Sequence, residues 1–372
     1  AAPVSFLQRS LTETPISVQS WGQLRTTDSR TALILLMQLN CNEQLRSEAM
    51  KKEMNITVFG CEPDEAAVFN RLSFEFGVTV SLIREAVSEN NVNLADGCQC
   101  VSISHKAKLS ESLLLALKEA GVKYICTRSI GFNHIDIQAA GQMGMTIGTV
   151  AYSPGSVADY AVMLMLMLMR GTKSVMHRTE KQDYCLNSLR GKELRDMTVG
   201  VIGTGRIGQA VMERLKGFGC RVLAYDRNRK AGADYVPFCE LLQRSDIITL
   251  HVPLAEDTFH MIGREQLEMI KKEALLINTA RGALVDTGAL VDVLADGRIG
   301  GAALDVLEGE EGFFYYDCTH KALEHPFLSA LQRMPNVIVT PHTAYHTERV
   351  LVDTVSNTIR NCLNFERSLG NV

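Results

Sequence analysis

The chain lacks any apolar stretch long enough to cross a bilayer as a helix. Its longest runs, Thr31–Leu39 and Ala161–Met169, are about nine residues, against the ~20 that a spanning helix needs. It lacks an excess of charge: 38 Lys and Arg against 42 Asp and Glu leave a net −4. That gives no electrostatic case for binding nucleic acid or an anionic membrane. It has no CxxC pair, and its ten cysteines are scattered, which points to reduced thiols in a cytoplasm rather than a disulfide framework. Repeats and low-complexity tracts are absent. So is the basic, apolar and small-residue order of a signal peptide. The Arg227-Asn-Arg-Lys230 cluster reads as a solvated loop or a handle on a cofactor phosphate, not as a nucleic-acid patch. What remains is an ordinary globular composition on 372 residues, enough for two domains.

One stretch organises the rest. Val199-Gly-Val-Ile-Gly-Thr-Gly-Arg-Ile-Gly-Gln209 reads as a buried strand entering a glycine-rich turn and then a helix. Gly203, Gly205 and Gly208 form G-x-G-x-x-G: one glycine for the tight turn, one for close approach to a pyrophosphate, one for helix–strand packing. The pyrophosphate would sit over the helix N-terminus, where free N–H groups and the dipole favour an anion. A second strand, Arg221–Tyr225, ends in Asp226, 21 residues beyond Gly205, where an acid accepts the ribose hydroxyls. The stretch predicts a nicotinamide-type dinucleotide site. Asp226 favours NAD; NADP is the alternative that Arg227 and Arg229 leave open.

Around this block, strands and helices alternate from Met54 onward, which argues for parallel α/β sheets. The expected fold is two Rossmann-like, doubly wound parallel-sheet domains. A discontinuous substrate domain comprises 54–152 and 344–372, and a nucleotide-binding domain, 153–343, is inserted into it. The first lacks a phosphate-binding glycine turn. Residues 1–53 are expected to be upstream sequence outside the fold, since the alternation begins abruptly after them. The Met/Leu-rich helix expected over 153–170 is apolar on every face, which suggests burial between domains or against a partner.

Three polar residues follow three buried strands: Arg281 after Asn278, Glu310 after Asp305, and His342 after Thr340. Ligands of open α/β sheets bind outside the carboxyl ends of the strands, so these residues are brought to one rim. Arg281 could hold a carboxylate through two parallel N–H bonds. His342 could give or take a proton near neutrality, and Glu310, bonded to it, would favour the charged imidazolium. Each has a plainer reading as well: a surface arginine, a helix-capping glutamate, a histidine satisfied by backbone. His342 and His346, four apart, have no third ligand at suitable spacing, so no metal is expected.

From Met54 to the end the chain resembles the NAD-dependent D-2-hydroxyacid dehydrogenases. The resemblance rests on Leu250-His-Val-Pro-Leu254 with Thr258, Ile277-Asn-Thr-Ala-Arg-Gly-Ala-Leu-Val-Asp286, Gly301–Glu310 and Thr340-Pro-His-Thr-Ala-Tyr345. Gly121–Ile125, Thr127–Asp136, Val150-Ala-Tyr-Ser-Pro154 and Gly309–Tyr315 resemble the D-lactate dehydrogenases, and the vancomycin-resistance branch in particular. The resemblance implies that Arg281 binds the substrate carboxylate, Glu310 tunes the histidine and His342 is the acid–base. It implies cofactor contacts at Arg206, Ile207, Asp226, Val252, Pro253, Thr258, Thr279, Ala280, Arg281 and Asp305, beside Gly203, Gly205 and Gly208. It implies a substrate pocket lined by Tyr152, Ile130, Gly131 and Arg281, with Phe132 a bulky wall suited to a small side chain. The expected enzyme is a cytoplasmic homodimer reducing a small 2-keto acid, pyruvate above others, to the D-2-hydroxy acid with NADH. In the resistance branch its D-lactate would enter D-Ala-D-lactate peptidoglycan precursors. The rival readings are a dehydrogenase for a larger 2-keto acid and a dinucleotide-sensing corepressor of the same fold.

Overall fold

The computed structural model describes residues 54–186, 190–321 and 323–369; the stretch 1–53, expected outside the fold, lies outside the described residues. The first half runs β1 (Asn55–Val58), α1 (Pro63–Phe76), β2 (Thr79–Leu82), β3 (Cys100–Ile103), α2 (Glu111–Glu119), β4 (Tyr124–Thr127), α3 (Ile137–Gln142) and β5 (Thr146–Thr149). Its strands pair in parallel in the order β2-β1-β3-β4-β5. The local reasons are plain. Pro63 opens α1 where a missing N–H costs nothing, and Gly77, at φ 65°, closes it in the left-handed region. The Ser110 hydroxyl caps α2 by accepting from the Leu113 N–H. β3 and β4 are buried throughout, as the middle of a parallel sheet covered on both faces must be.

The chain then passes through α4 (Gly155–Met169) and α5 (Thr172–Glu180) into a second unit. It runs β6 (Thr198–Ile202), α6 (Arg206–Phe218), β7 (Arg221–Tyr225), β8 (Asp234–Tyr235), α7 (Phe238–Arg244), β9 (Ile247–Leu250), α8 (Arg264–Met269), β10 (Leu275–Asn278), α9 (Thr287–Ala295), β11 (Gly301–Leu304), α10 (Leu328–Arg333) and β12 (Val337–Val339). These strands form a parallel sheet in the order β12-β11-β10-β9-β6-β7-β8. The order reverses beside β6, which opens a crevice at the carboxyl ends of β6 and β9. The last helix, α11 (Glu348–Ser368), returns to the first sheet and packs on α1 and β4, burying Val355, Ile359 and Cys362. The result is two doubly wound parallel-sheet α/β domains, the first completed by the end of the chain and the second inserted into it. Among the described residues no helix is long and apolar enough to cross a membrane.

Some elements differ from expectation. The apolar run Ser245–Pro253 reads as one long strand, but the ladder covers only Ile247–Leu250. Pro253 cannot donate to a ladder, and the Thr258 hydroxyl ties the following turn by donating to the Pro253 and Ala255 carbonyls. The helix α5 escapes sequence reading because it buries no residue and so has no apolar face. The helices α3, α7, α9 and α10 are likewise additions to the sequence reading. The Met/Leu-rich α4 buries Val157, Ala161, Leu164 and Met165 and packs on α6 and on β10, β11 and β12. Met163 stays 38% exposed.

Candidate active site

The strands β10, β11 and β12 are neighbours, and Arg281, Glu310 and His342 sit in the segments beyond their carboxyl ends. Asn278 closes the first turn: its Nδ2 donates to the Arg281 carbonyl at 2.8 Å and its Oδ1 accepts from the Ala280 N–H at 3.0 Å. Asp305, just past β11 and fully buried, holds the third segment. Its carboxylate accepts from Thr340 Oγ1 at 2.6 Å and from the Thr343 and Ala344 N–H groups at 2.9 Å. Its carbonyl accepts the His342 N–H at 2.6 Å. Burial raises the Asp305 carboxyl above its ordinary value, against the pull of those hydrogen bonds. Held this way, His342 adopts φ 52°, a left-handed conformation that costs a non-glycine residue of the order of 1–3 kcal/mol.

His342 Nδ1 lies 2.5 Å from Glu310 Oε1, while Glu310 Oε2 accepts the Leu307 N–H at 2.7 Å. Nδ1 is thereby occupied, and Nε2 is the nitrogen left for proton transfer. Aromatic rings surround the imidazole: Tyr315 at 5.8 Å, Tyr345 at 6.2 Å and His105 at 6.3 Å between centroids. Burial, then repulsion from His342, lowers His105 to about 3. Burial also pushes the Tyr315 and Tyr345 phenols up, so these three ring neighbours do not change charge near neutrality.

In front of the imidazole is a cleft of about 380 Å³. The first domain contributes Ile130 and Gly131 to it, and Tyr152 comes from the crossing between domains. The second contributes Gly205, Arg206 and Ile207 from the glycine turn, Val252 and Pro253 beyond β9, and Thr279, Ala280 and Arg281 beyond β10. Asp305 and His342 complete the wall. Gly131 lies hard against Arg281: a Cβ there would overlap the guanidinium Nη2. Among the described residues neither the Ile130 nor the Gly131 N–H has a partner.

A dinucleotide fits what surrounds the glycine turn. Gly203 has φ 92°, and a Cβ on it would come within 2.6 Å of the His251 carbonyl oxygen. A Cβ on Gly208 would run into the Gly203 carbonyl. These two glycines make the turn and the packing. At Gly205, by contrast, no atom lies within 4 Å of where a Cβ would stand, leaving backbone open to a phosphate. The Thr279 hydroxyl is buried in the cleft wall without a protein partner. At the end of β7, Asp226 accepts from Thr204 N at 2.6 Å and Asn228 N at 2.8 Å. Burial works against its charge, but the bonds from Asn228 and Thr204 outweigh it and keep the carboxyl below its ordinary value. An ionised acid therefore stands where ribose hydroxyls need an acceptor.

Comparison with known proteins agrees. Residues 162–344 match the family described as D-isomer specific 2-hydroxyacid dehydrogenase, NAD binding domain. The chain is 65% identical to the D-specific alpha-keto acid dehydrogenase of Enterococcus faecalis over 320 residues, 86% of this chain and 99% of that one. The chain belongs to the D-isomer specific 2-hydroxyacid dehydrogenases. Its fold is similar to D-2-hydroxyisocaproate dehydrogenase, at 33% identity and TM-score 0.78 over 85% of this chain and 97% of that one. It is similar, too, to the NAD-complexed D-isomer specific 2-hydroxyacid dehydrogenase of Lactobacillus delbrueckii ssp. bulgaricus, at 33% identity and TM-score 0.75 over 85% and 98%. The protein is an NAD-dependent oxidoreductase of this family.

Not every expected residue of the dehydrogenase lines the cleft. Thr258 does not: its hydroxyl is bound within its own turn. Glu310 stands behind His342, and Gly203, Gly208 and Asp226 lie outside the cleft wall. His346 shares with His342 the irregular segment before α11, so the two do not stack on a helix face. Sequence reasoning missed His105, Tyr315 and Tyr345 around the imidazole. Tyr315 and Tyr345 stand inside family-like motifs, five residues from Glu310 and three from His342 respectively; nothing in the sequence marks His105.

Proposed function

We propose that this dehydrogenase reduces small 2-oxo acids, pyruvate foremost, to the D-2-hydroxy acid with NADH. One observation carries the reading: an arginine, two unpartnered backbone N–H groups and a Glu-backed histidine meet in one cleft beside the glycine turn. Arg281 grips the carboxylate through parallel N–H bonds, and the Ile130 and Gly131 amides add donors from the opposite wall. The nicotinamide, when bound, supplies the hydride. His342 gives the carbonyl oxygen a proton from Nε2, and Glu310 stabilises the ring while it is charged. In the reverse direction Nε2 takes the proton back. Phe132, at the cleft, restricts the side chain. Residues 54–152 and 344–372 then act as the substrate domain and 153–343 as the NAD-binding domain.

A second reading has its own support. Another cleft, of about 830 Å³, borders His342 on the side of Ser104, His105 and Tyr345. A longer side chain could extend into it, and the D-2-hydroxyisocaproate dehydrogenase named above agrees with that. NADH oxidation with pyruvate, 2-oxobutyrate, 2-oxoisocaproate and phenylpyruvate decides: kcat/KM highest for pyruvate supports the first reading, and a rise with chain length supports the second.

The motif resemblance to the vancomycin-resistance branch supports a further role, in which a cytoplasmic homodimer supplies D-lactate for D-Ala-D-lactate peptidoglycan precursors. Exposed Met163, Val175 and Met176 on α4 and α5 suit a dimer surface. Precursor analysis after gene inactivation tests the role. Persistence of D-lactate-ended precursors would refute it, and a monomer in light scattering would refute the dimer.

A further inference from the structure

Behind the Ile130–Gly131 loop, three side-chain hydrogen bonds form a chain with one consistent direction. Ser129 Oγ lies 2.6 Å from the Gly131 carbonyl oxygen. A carbonyl can only accept, so the serine proton is committed there. Thr127 Oγ1, 2.8 Å from Ser129 Oγ, must then donate to the serine. That uses the threonine's only proton, so His134 Nε2, 3.0 Å from Thr127 Oγ1, must donate to the threonine. The order is His134 to Thr127 to Ser129 to the Gly131 carbonyl, and it assigns the His134 proton to Nε2. Burial, with the Arg281 charge adding to it, lowers His134 to about 4. The ring is thus neutral at working pH, with Nδ1 unprotonated. Each bond in such a chain polarises the next.

The chain ends at the loop that faces Arg281. Gly131 lies against the guanidinium, and a carboxylate held by Arg281 comes close to this backbone. An unrestrained Gly131 carbonyl would be free to turn its negative end toward that anion. We infer that His134, Thr127 and Ser129 are positioning residues that hold the Gly131 carbonyl away from the substrate carboxylate and so set the affinity for the 2-oxo acid. The inference rests on the proposed reading of Arg281 and the Ile130–Gly131 amides as the seat of the carboxylate. None of the three side chains takes part in proton transfer. Their effect is on binding.

The test uses the full chain, with steady-state kinetics on pyruvate and NADH and with the binding of oxamate, a carboxylate analogue, to the NADH complex. Ser129→Ala should raise the pyruvate KM and the oxamate Kd by about tenfold, the worth of one hydrogen bond near a charge. His134→Leu and Thr127→Val, which remove upstream donors, should raise both by a few-fold, with kcat changed by less than about twofold. His134→Gln should restore wild-type values, since its amide nitrogen stands where the imidazole Nε2 does. In the double variant Ser129→Ala/His134→Leu, KM should be no higher than in Ser129→Ala alone, because a serial chain is already broken at its end. Multiplicative effects in the double variant, or losses confined to kcat, would overturn the chain. Arg281→Lys separates the two levels. An unchanged KM there would refute the carboxylate seat itself. A raised KM there, with Ser129→Ala at wild-type KM, would refute the chain alone.

Discussion

Replacing Glu310 by Gln removes a charge, but the geometry says it does more. Glu310 presents Oε1 to His342 Nδ1 and Oε2 to the Leu307 N–H. Gln has one oxygen and one NH₂ for those two places. The backbone N–H cannot become an acceptor, whereas an imidazole can move its proton, so the amide oxygen should stay with Leu307. Leaving that N–H unmet would cost about 1–3 kcal/mol. The NH₂ then faces Nδ1 and can only donate. Nδ1 must offer its lone pair, and the ring proton goes to Nε2. Oxidation needs a bare Nε2, and reduction needs an imidazolium with protons on both nitrogens. Neither is available, so both directions should fall. A wrong-tautomer substitution of this kind in a Ser-His-Asp triad costs about 10⁴ in turnover, and losing a general acid–base costs about 10²–10⁴. A loss of about 10²–10⁴ in kcat is expected for D-lactate oxidation and pyruvate reduction alike, with NADH affinity by fluorescence titration unchanged. Oxidation near the wild-type rate, with only reduction impaired, would show that the charge alone matters and would refute the tautomer argument.

Three further outcomes follow from the site. Gly131→Ala puts a methyl into the space of Arg281 Nη2; the arginine tip should give way, raising the pyruvate KM about tenfold or more with little change in Tm, and an unchanged KM would mean that the contact is idle. Asp226→Ser removes the ionised acceptor at the end of β7 and should shift the NADPH-to-NADH ratio of kcat/KM upward by about tenfold or more; a wild type that already prefers NADPH would refute the role of Asp226. The third concerns pH. Loss of water lowers His251 to about 3 and His134 to about 4 from 6.5, so the unfolded chain takes up protons first as pH falls. Stability is complete above about 6.5 and should drop below it, each histidine costing about 1.4 kcal/mol per pH unit until its folded value is reached. Urea unfolding at pH 7.5, 5.5 and 4.5 measures this, and His251→Gln should flatten the slope; an identical slope would refute the assignment.

The glycine turn and the three strand-end residues were legible because both follow from local order along the chain. G-x-G-x-x-G is a contiguous pattern, and a polar residue beyond an apolar run needs only the rule that ligands gather at carboxyl ends. Asp305 shows what local order leaves out. The family resemblance implies a cofactor contact there, and Asp305 does line the cleft. Yet its carboxylate is occupied by Thr340, Thr343 and Ala344, partners that only the pairing of β11 with β12 brings near. The resemblance implies a cofactor contact at Thr258 as well, whose hydroxyl bonds within its own turn. His105 gave no signal, because its place beside His342 depends on how the two domains meet. The short helices α3, α7 and α10 were missed because six or seven residues are too few to show a helical period.

The arrangement of the two domain crossings bears on where His342 sits. One crossing precedes α4, the other precedes α11, and they are joined: the Ser153 N–H donates to Asp353 Oδ2 at 3.0 Å, and Ser156 Oγ lies 2.8 Å from Thr347 Oγ1. Arg206, the first residue of α6, reaches the same place, its Nη2 donating to the Tyr152 carbonyl at 3.0 Å. The helix that would receive the pyrophosphate is thereby linked to Tyr152, which lines the cleft. Rotation about two adjacent crossings of this kind would move distant groups most. His342 lies next to them, fixed by Asp305 and Glu310, whereas Ile130 and Gly131 lie on the opposite wall. Were the domains to turn about these crossings, the loop carrying Gly131 would move relative to Arg281, whereas His342 would keep its partners Asp305 and Glu310. Under the proposed function, the seat of the carboxylate would then respond to domain rotation through Gly131 alone, since Arg281 and His342 follow strands of the same sheet.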